Sequence, residues 1–271
     1  MPATGGPPGP LAAPNQADRK PAALNQAESG TVDGEVGRDC PRCPRLVAFR
    51  HAWREKQPDW HNAPVPSFGP VSARLLIVGL APGLQGANRT GRPFTGDFAG
   101  DLLYATLARY GFTAGEYAAR PDDGLRLVDA RITNAVRCVP PENKPVGSEI
   151  KECRAFLKAA IAEMPNLTAL VVLGRIAHDS TVAALGHPLA ALPFAHGAQH
   201  AAGGLRVFDS YHCSRYNTNT GVLTPEMFQA VFAATRDFLD ARSGPAAAAL
   251  AASPPRPKNG KGPRKKAERA S

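Results

Sequence analysis

The sequence predicts an α/β protein of three layers, with a central, mostly parallel, four-stranded sheet flanked by helices. Three observations predict it. Four short apolar runs, at 75–78, 130–136, 169–173 and 205–208, are each closed off by turn or polar residues, as buried strands are. Segments with apolar residues at helical spacing lie between and after these runs, and strands separated by helices favour a parallel, two-sided sheet. The chain has 271 residues with 43% hydrophobic content, enough for a sizeable core.

In order, residues 1–36 read as a disordered tail. They are rich in Pro, Gly and Ala, and the first aromatic of the chain is Phe49. Such a segment cannot bury enough apolar area to offset its ordering entropy. A single folded domain is expected over 37–243. Its organising stretch is LLIVGLAPGLQGANRTGRPFTGDFAG at 75–100, a strand that ends abruptly at Gly79 and opens a long glycine-rich loop. Ligands in open α/β sheets bind beyond the carboxyl ends of strands, and a long loop there usually has a function. A helix is expected from about Asp97, with Leu102, Leu103 and Leu107 on one face. Further helices are expected at 146–163, 175–185 and 225–239. Thr224 and Pro225 supply an N-cap and a first-turn proline for the last of them. Residues 244–271 read as a disordered basic tail. Seven Lys and Arg against one acid there supply +6 of the formal net charge of +9. A flexible polycation attracts phosphate backbones without reading sequence.

No apolar run reaches membrane-spanning length, and no basic-then-apolar signal opens the chain, so a soluble, intracellular protein is expected. Five cysteines fit a disulfide framework poorly. Cys40 and Cys43 form C-x2-C, and Cys138 and Cys153 follow far downstream with fourteen residues between them. Four thiolates suit zinc or an iron–sulfur cluster equally well on spacing alone. Cys138 and Cys153 would also pass as unrelated core cysteines. Cys213 sits beside His212, but neighbours on an extended segment point to opposite sides, so a shared proton is not expected.

Three single residues carry chemistry. Asn134 ends an apolar strand, where a buried amide needs a partner, either a ligand edge or backbone. Phe94 is one aromatic among glycines, fit to stack on a flat ring or to pack as a lid. His212 runs off the end of the 205–208 strand. It leads into a loop of Ser214, Arg215, Asn217, Thr218, Asn219 and Thr220, which offers hydroxyls, amides and a charge to phosphates.

Three blocks in order, GLAPG-x-x-GANRTGRPFTGD, ITNAVRC-x-PP-x-NKP and H-x-SRYNTNTG-x-LT, resemble the uracil-DNA glycosylase superfamily. The match is to family 5, the type B iron–sulfur enzymes, and covers about residues 38–240. The resemblance implies a structural 4Fe–4S cluster on Cys40, Cys43, Cys138 and Cys153. It also implies hydrolysis of the bond between a damaged base and deoxyribose. It places Phe94 on the flipped base, with Gly79 and Ala81 beside it. Asn134 would lie against the base or hold the catalytic water, with Asn88 and Asp97 as further candidates for that water. His212 would face the base carbonyl. Ser214, Arg215 and Asn217, with Arg89, would meet DNA. Uracil-containing, double-stranded DNA is the expected partner of a monomer in the cytoplasm, near the nucleoid. Asp97 is also a candidate helix cap.

One residue departs from the family pattern: Cys213 stands where a proline is usual, which frees a φ angle and restores an N–H. The alternative to a glycosylase is a non-catalytic, damaged-DNA-binding module of the same fold. A branch that traps the abasic sugar covalently would need an inserted basic loop with a histidine, and none follows Gly96.

Overall fold

The computed structural model describes residues 35–242. Both expected tails, but for residues 35 and 36, lie outside the described residues. The elements in chain order are α1 (Pro44–Lys56), β1 (Leu75–Gly79), α2 (Ala87–Thr90), α3 (Phe98–Arg109), β2 (Thr113–Ala114), β3 (Arg126–Leu127), β4 (Ala130–Asn134), α4 (Gly147–Ala162), β5 (Ala169–Leu173), α5 (Arg175–Ala184), β6 (Gln199–Ala202), β7 (Leu205–Ser210), α6 (Arg215–Asn219) and α7 (Pro225–Ala241).

The main sheet runs β4-β1-β5-β7-β6. Four of its strands are parallel, as expected. The sheet nevertheless has five strands rather than four, because β6 pairs antiparallel with β7 at the edge. That strand escapes a sequence reading because QHAA carries no apolar run, and an edge strand needs none. The two-residue pairing of β2 with β3 is likewise too short to leave a periodic signal.

Alternation within each central strand sends side chains to two cores. Leu75 and Ile77 join Ile132, Val171 and Phe208 against Leu103, Leu107, Phe228 and Phe232 of α3 and α7. Leu76 and Val78 join Leu170, Val172 and Val207 against Leu157, Ala177 and Val182 of α4 and α5. Each such side chain contributes about 2 kcal/mol on burial, so strands covered on both faces hold their register firmly.

The helix starts follow their caps. Asp97 accepts from the Gly100 N–H at 3.1 Å and opens α3. Thr224 accepts from Met227 at 3.2 Å and opens α7 behind Pro225. The sequence reading omits α1 and the one-turn helices α2 and α6, which fall in segments it read as loops. The anchor of α1 is tertiary: Arg45 makes a two-pronged bond to Glu149 of α4, at 2.8 Å through both Nε and Nη2. Among the described residues, no helix is long and apolar enough to cross a membrane.

Candidate active site

Parallel register sets Gly79 of β1 beside Asn134 of β4, at the carboxyl edge of the sheet. The loop after β1 turns back over this pair. A methyl group at Gly79 would collide with Asn134 Oδ1 and come within 2.6 Å of the Phe94 ring. Glycine is therefore required here for close approach rather than for backbone freedom. Asn134 is buried, and its Oδ1 has no hydrogen-bond partner. A buried carbonyl oxygen left unmatched is costly, so this atom is available to accept from a ligand or a water.

The Phe94 ring faces His212 at 6.1 Å between centroids, with 30° between planes. His212 follows β7, on the far side of β5 from β1. Burial pushes its imidazole down to about 4, so the ring is neutral near pH 7 and offers one N–H donor. Asn217 Nδ2 donates to the His212 carbonyl at 2.8 Å and fixes the turn. Cys213 points the other way, as expected, with its Sγ 3.5 Å from the Ala99 carbonyl in the core. Burial also pushes that thiol up, so it is inert as a nucleophile.

The remaining expected residues divide. One carboxylate oxygen of Asp97 caps α3, and the other crowds Gly83 and Gly86 of the glycine loop. Burial raises its pKa against the opposing Gly100 and Ala99 N–H groups. Asn88 gives its Nδ2 to Asn62 Oδ1 at 2.9 Å, so its amide ties the loop to residues 57–62. Ala81 packs against the cysteine cluster rather than against Phe94. Arg89 is exposed and bonds the Gln85 carbonyl. Ser214 caps α6, and Arg215 lies exposed over the Phe98 ring at 5.4 Å. Beside them Tyr216 is 74% exposed, a residue the sequence reading did not single out.

Cys40, Cys43, Cys138 and Cys153 line one cavity with Arg50, Arg137 and Phe156. Burial pushes the Cys43 and Cys138 thiols up, to about 11 and about 12. Among the described residues, the one group of metal-ligating side chains with donor atoms all within 4.8 Å is different: His178, His200 and Asp209. This grouping could hold a metal ion, and the sequence reading missed it because α5, β6 and β7 supply one residue each. Asp209 is fully buried and takes His178 Nδ1 at 2.7 Å and His200 Nε2 at 3.1 Å. His178 Nε2 meets the Leu192 carbonyl at 2.7 Å, so every inward-facing donor already has a partner.

A flat aromatic face, an unmatched amide and a neutral imidazole thus meet at the carboxyl edge of a parallel sheet. Residues 66–236 match the uracil DNA glycosylase superfamily. Among similar proteins is the type-5 uracil-DNA glycosylase of Thermus thermophilus, 44% identical over 200 residues, which span 70% of this chain and 89% of the relative. The type-5 enzyme of Pyrobaculum aerophilum is 40% identical over 203 residues, 73% and 88% of the two chains. That of Mycobacterium leprae is 42% identical over 208 residues, 71% and 88%. The chain belongs to the uracil-DNA glycosylase superfamily and, within it, to the type-5 family.

Proposed function

We propose that this chain is a monofunctional DNA-repair glycosylase that removes uracil, and related deaminated bases such as hypoxanthine, and leaves an abasic site. The observation that carries this reading is the buried, unpartnered Asn134 Oδ1 at the floor beneath the Phe94 ring. An amide presents one acceptor and one donor side by side, the complement of the uracil N3–H and O4 edge. A base within a duplex cannot reach such a floor, so it must first leave the stack.

In this reading Phe94 stacks on the extruded base and Asn134 reads its edge. Cleavage of the glycosidic bond leaves positive charge on the sugar and negative charge on the base. The neutral His212 N–H donates to the base oxygen where that charge gathers, a preorganised donor of the kind that lowers such barriers most. Asp97 orients the attacking water, and its carboxylate accepts the water's proton. Asn88 shapes the glycine loop. Arg89, Ser214, Arg215 and Asn217 meet the DNA backbone. In this reading the protein acts as a monomer on duplex DNA, and such a substrate would hold it at the nucleoid.

The four cysteines would hold a 4Fe–4S cluster. The fit rests on the donor set. The four thiols line one cavity together with Arg50 and Arg137. Arg50 and Arg137 are 2% and 1% exposed, and Arg50 Nε with Arg137 Nε and Nη2 have no acceptor. An anionic group with its own sulfides supplies acceptors at such a place. When bound it supplies a structural clamp, joining the turn before α1 to α4.

The test is a labelled duplex with one uracil opposite guanine, treated with alkali after incubation, beside hypoxanthine and unmodified duplexes. Alkali-dependent cutting at the lesion alone supports the proposal. Intact strands from protein with its full iron content would sink it in favour of a binding module.

A further inference from the structure

We infer that the hairpin excursion between β2 and β3, residues 115–125, is a positioning element for the stacking ring, acting through Tyr117, Asp123 and Arg92. The inference rests on the reading of Phe94 as the residue that stacks on the base. Its ground is a strained backbone and the bonds that enforce it. Phe94 has φ +51°, in the left-handed region that a bulky side chain rarely enters. Such a conformation persists only where its surroundings over-determine it.

Here they do, residue by residue. The Arg92 guanidinium makes a bidentate pair with Asp123 at 2.7 and 2.8 Å, and its Nε donates to Thr95 Oγ1 at 2.7 Å. It lies among the faces of Phe68, Tyr104 and Tyr117, 5.3 to 5.7 Å from their centroids. Asp123 also accepts from the Ala118 and Leu125 N–H groups at 3.0 Å each, so the hairpin orients it from both sides. Burial alone would raise the Asp123 pKa. Arg92 and those two N–H groups instead hold it well below the usual carboxylate range.

Tyr104 Oη donates to the Pro93 carbonyl at 2.8 Å, and Tyr117 Oη to the Phe94 carbonyl at 3.3 Å. The Gly96 N–H donates to the same Tyr117 oxygen at 3.5 Å. The Phe94 carbonyl also lies so close over Gly100 that no side chain fits there. Every residue from Arg92 to Gly96 is thus tied from outside the loop or across it. Tyr117 bridges the two peptides that follow Phe94, one on either side of Thr95. The route from the hairpin to the stacking ring is therefore Asp123 to Arg92 and Tyr117 to the Phe94 carbonyl.

Tyr117→Phe is the clean probe. It removes one oxygen and keeps the ring that stacks on Tyr104 at 4.4 Å. Single-turnover excision from the one-uracil duplex should fall about five- to tenfold, the size of one lost hydrogen bond. Duplex affinity should stay at the parent value and the thermal midpoint should fall by no more than one hydrogen bond accounts for, which separates positioning from general loosening. Added to Phe94→Ala, it should cause no further loss. Tyr104→Phe, which frees the Pro93 carbonyl, is read in the same way if the first variant does not fold. A full additional loss in the double variant overturns the inference. So does parent-like excision by Tyr117→Phe where Phe94→Ala is slow. Unchanged excision by Phe94→Ala itself removes the stacking role, and this inference with it.

Discussion

The rings of Phe94 and His212 face each other at 6.1 Å, 30° from parallel, although 117 residues separate them in the chain. One comes from the loop after β1 and the other from the end of β7. Between them lies the carboxyl edge of the sheet, with Gly79 and Asn134 as its floor. An aromatic face and a hydrogen-bond donor thus converge on one small volume from opposite sides.

His212→Ala should slow excision well over tenfold while duplex affinity holds, since the donor acts on charge that develops only during cleavage. The pH profile should fall in acid, where the depressed His212 imidazole near pH 4 and the Asp97 carboxylate both take up a proton. The His212 part of that fall marks protonation of a ring whose neutral form is the one buried. Stability should follow the same sign. Between an unfolded pKa of about 6.5 and the folded value of about 4, the unfolded chain binds a proton that the folded one lacks. Acidification through that window therefore destabilises the parent more than His212→Ala. A His212 ring that titrates at about 6.5 by NMR would argue that the ring is exposed and the assignment wrong.

Gly79→Ala tests the floor. The added methyl must displace either the Asn134 amide or the Phe94 ring. Excision should fall more than tenfold, comparable with Asn134→Ala, and the two losses should not add because both act on one contact. Parent-like turnover in Gly79→Ala, measured on the one-uracil duplex, would place the base elsewhere.

Cys138→Ser should lower iron and acid-labile sulfide together in the purified protein, and Arg50→Met should speed loss of both to a chelator. Arg50 Nη1 lies 3.7 Å from Cys138 Sγ, and its Nη2 bonds the Cys40 carbonyl at 3.1 Å, so it holds both ends of the thiol set. With the clamp gone, residues 38–56 should become sensitive to protease. One zinc per chain, with no sulfide, is the result that would replace the cluster.

Asp209→Asn should destabilise the fold by about 3 kcal/mol in urea titration, because it breaks a buried pair and leaves His178 without its charge partner. Asp209 lies three residues before His212 but faces α5 and β6 through its two histidines. Its loss should therefore alter stability more than single-turnover excision. A midpoint equal to the parent would mean that the trio is not a structural lock.

Deleting residues 244–271 should weaken duplex binding at low salt and flatten its salt dependence, since seven basic side chains leave against one acid. Equal binding by both forms across a salt titration would make the segment a bystander.

By itself the sequence determined the sheet's four parallel strands, because buried strands must be written as apolar runs and helix starts as caps. It also determined which residues to watch. Asn134, Phe94 and His212 are polar or aromatic interruptions in segments whose other positions are fixed by packing. The cysteines were visible as a set, and the family as three blocks in order. Only the tertiary structure decided what those residues do to one another. Asn88 is a candidate for the water in one dimension, and in three its Nδ2 donates to Asn62 Oδ1. β6, α1 and the hairpin around Tyr117 leave no periodic trace, because partners distant in the chain stabilise them. The His178–His200–Asp209 group and the ties on Phe94 are assembled from three or more elements each. A chain can spell the strand that ends at an active site. Which side chains meet above that strand depends on register, crossover and loop closure, and those are decided by packing across the whole sheet.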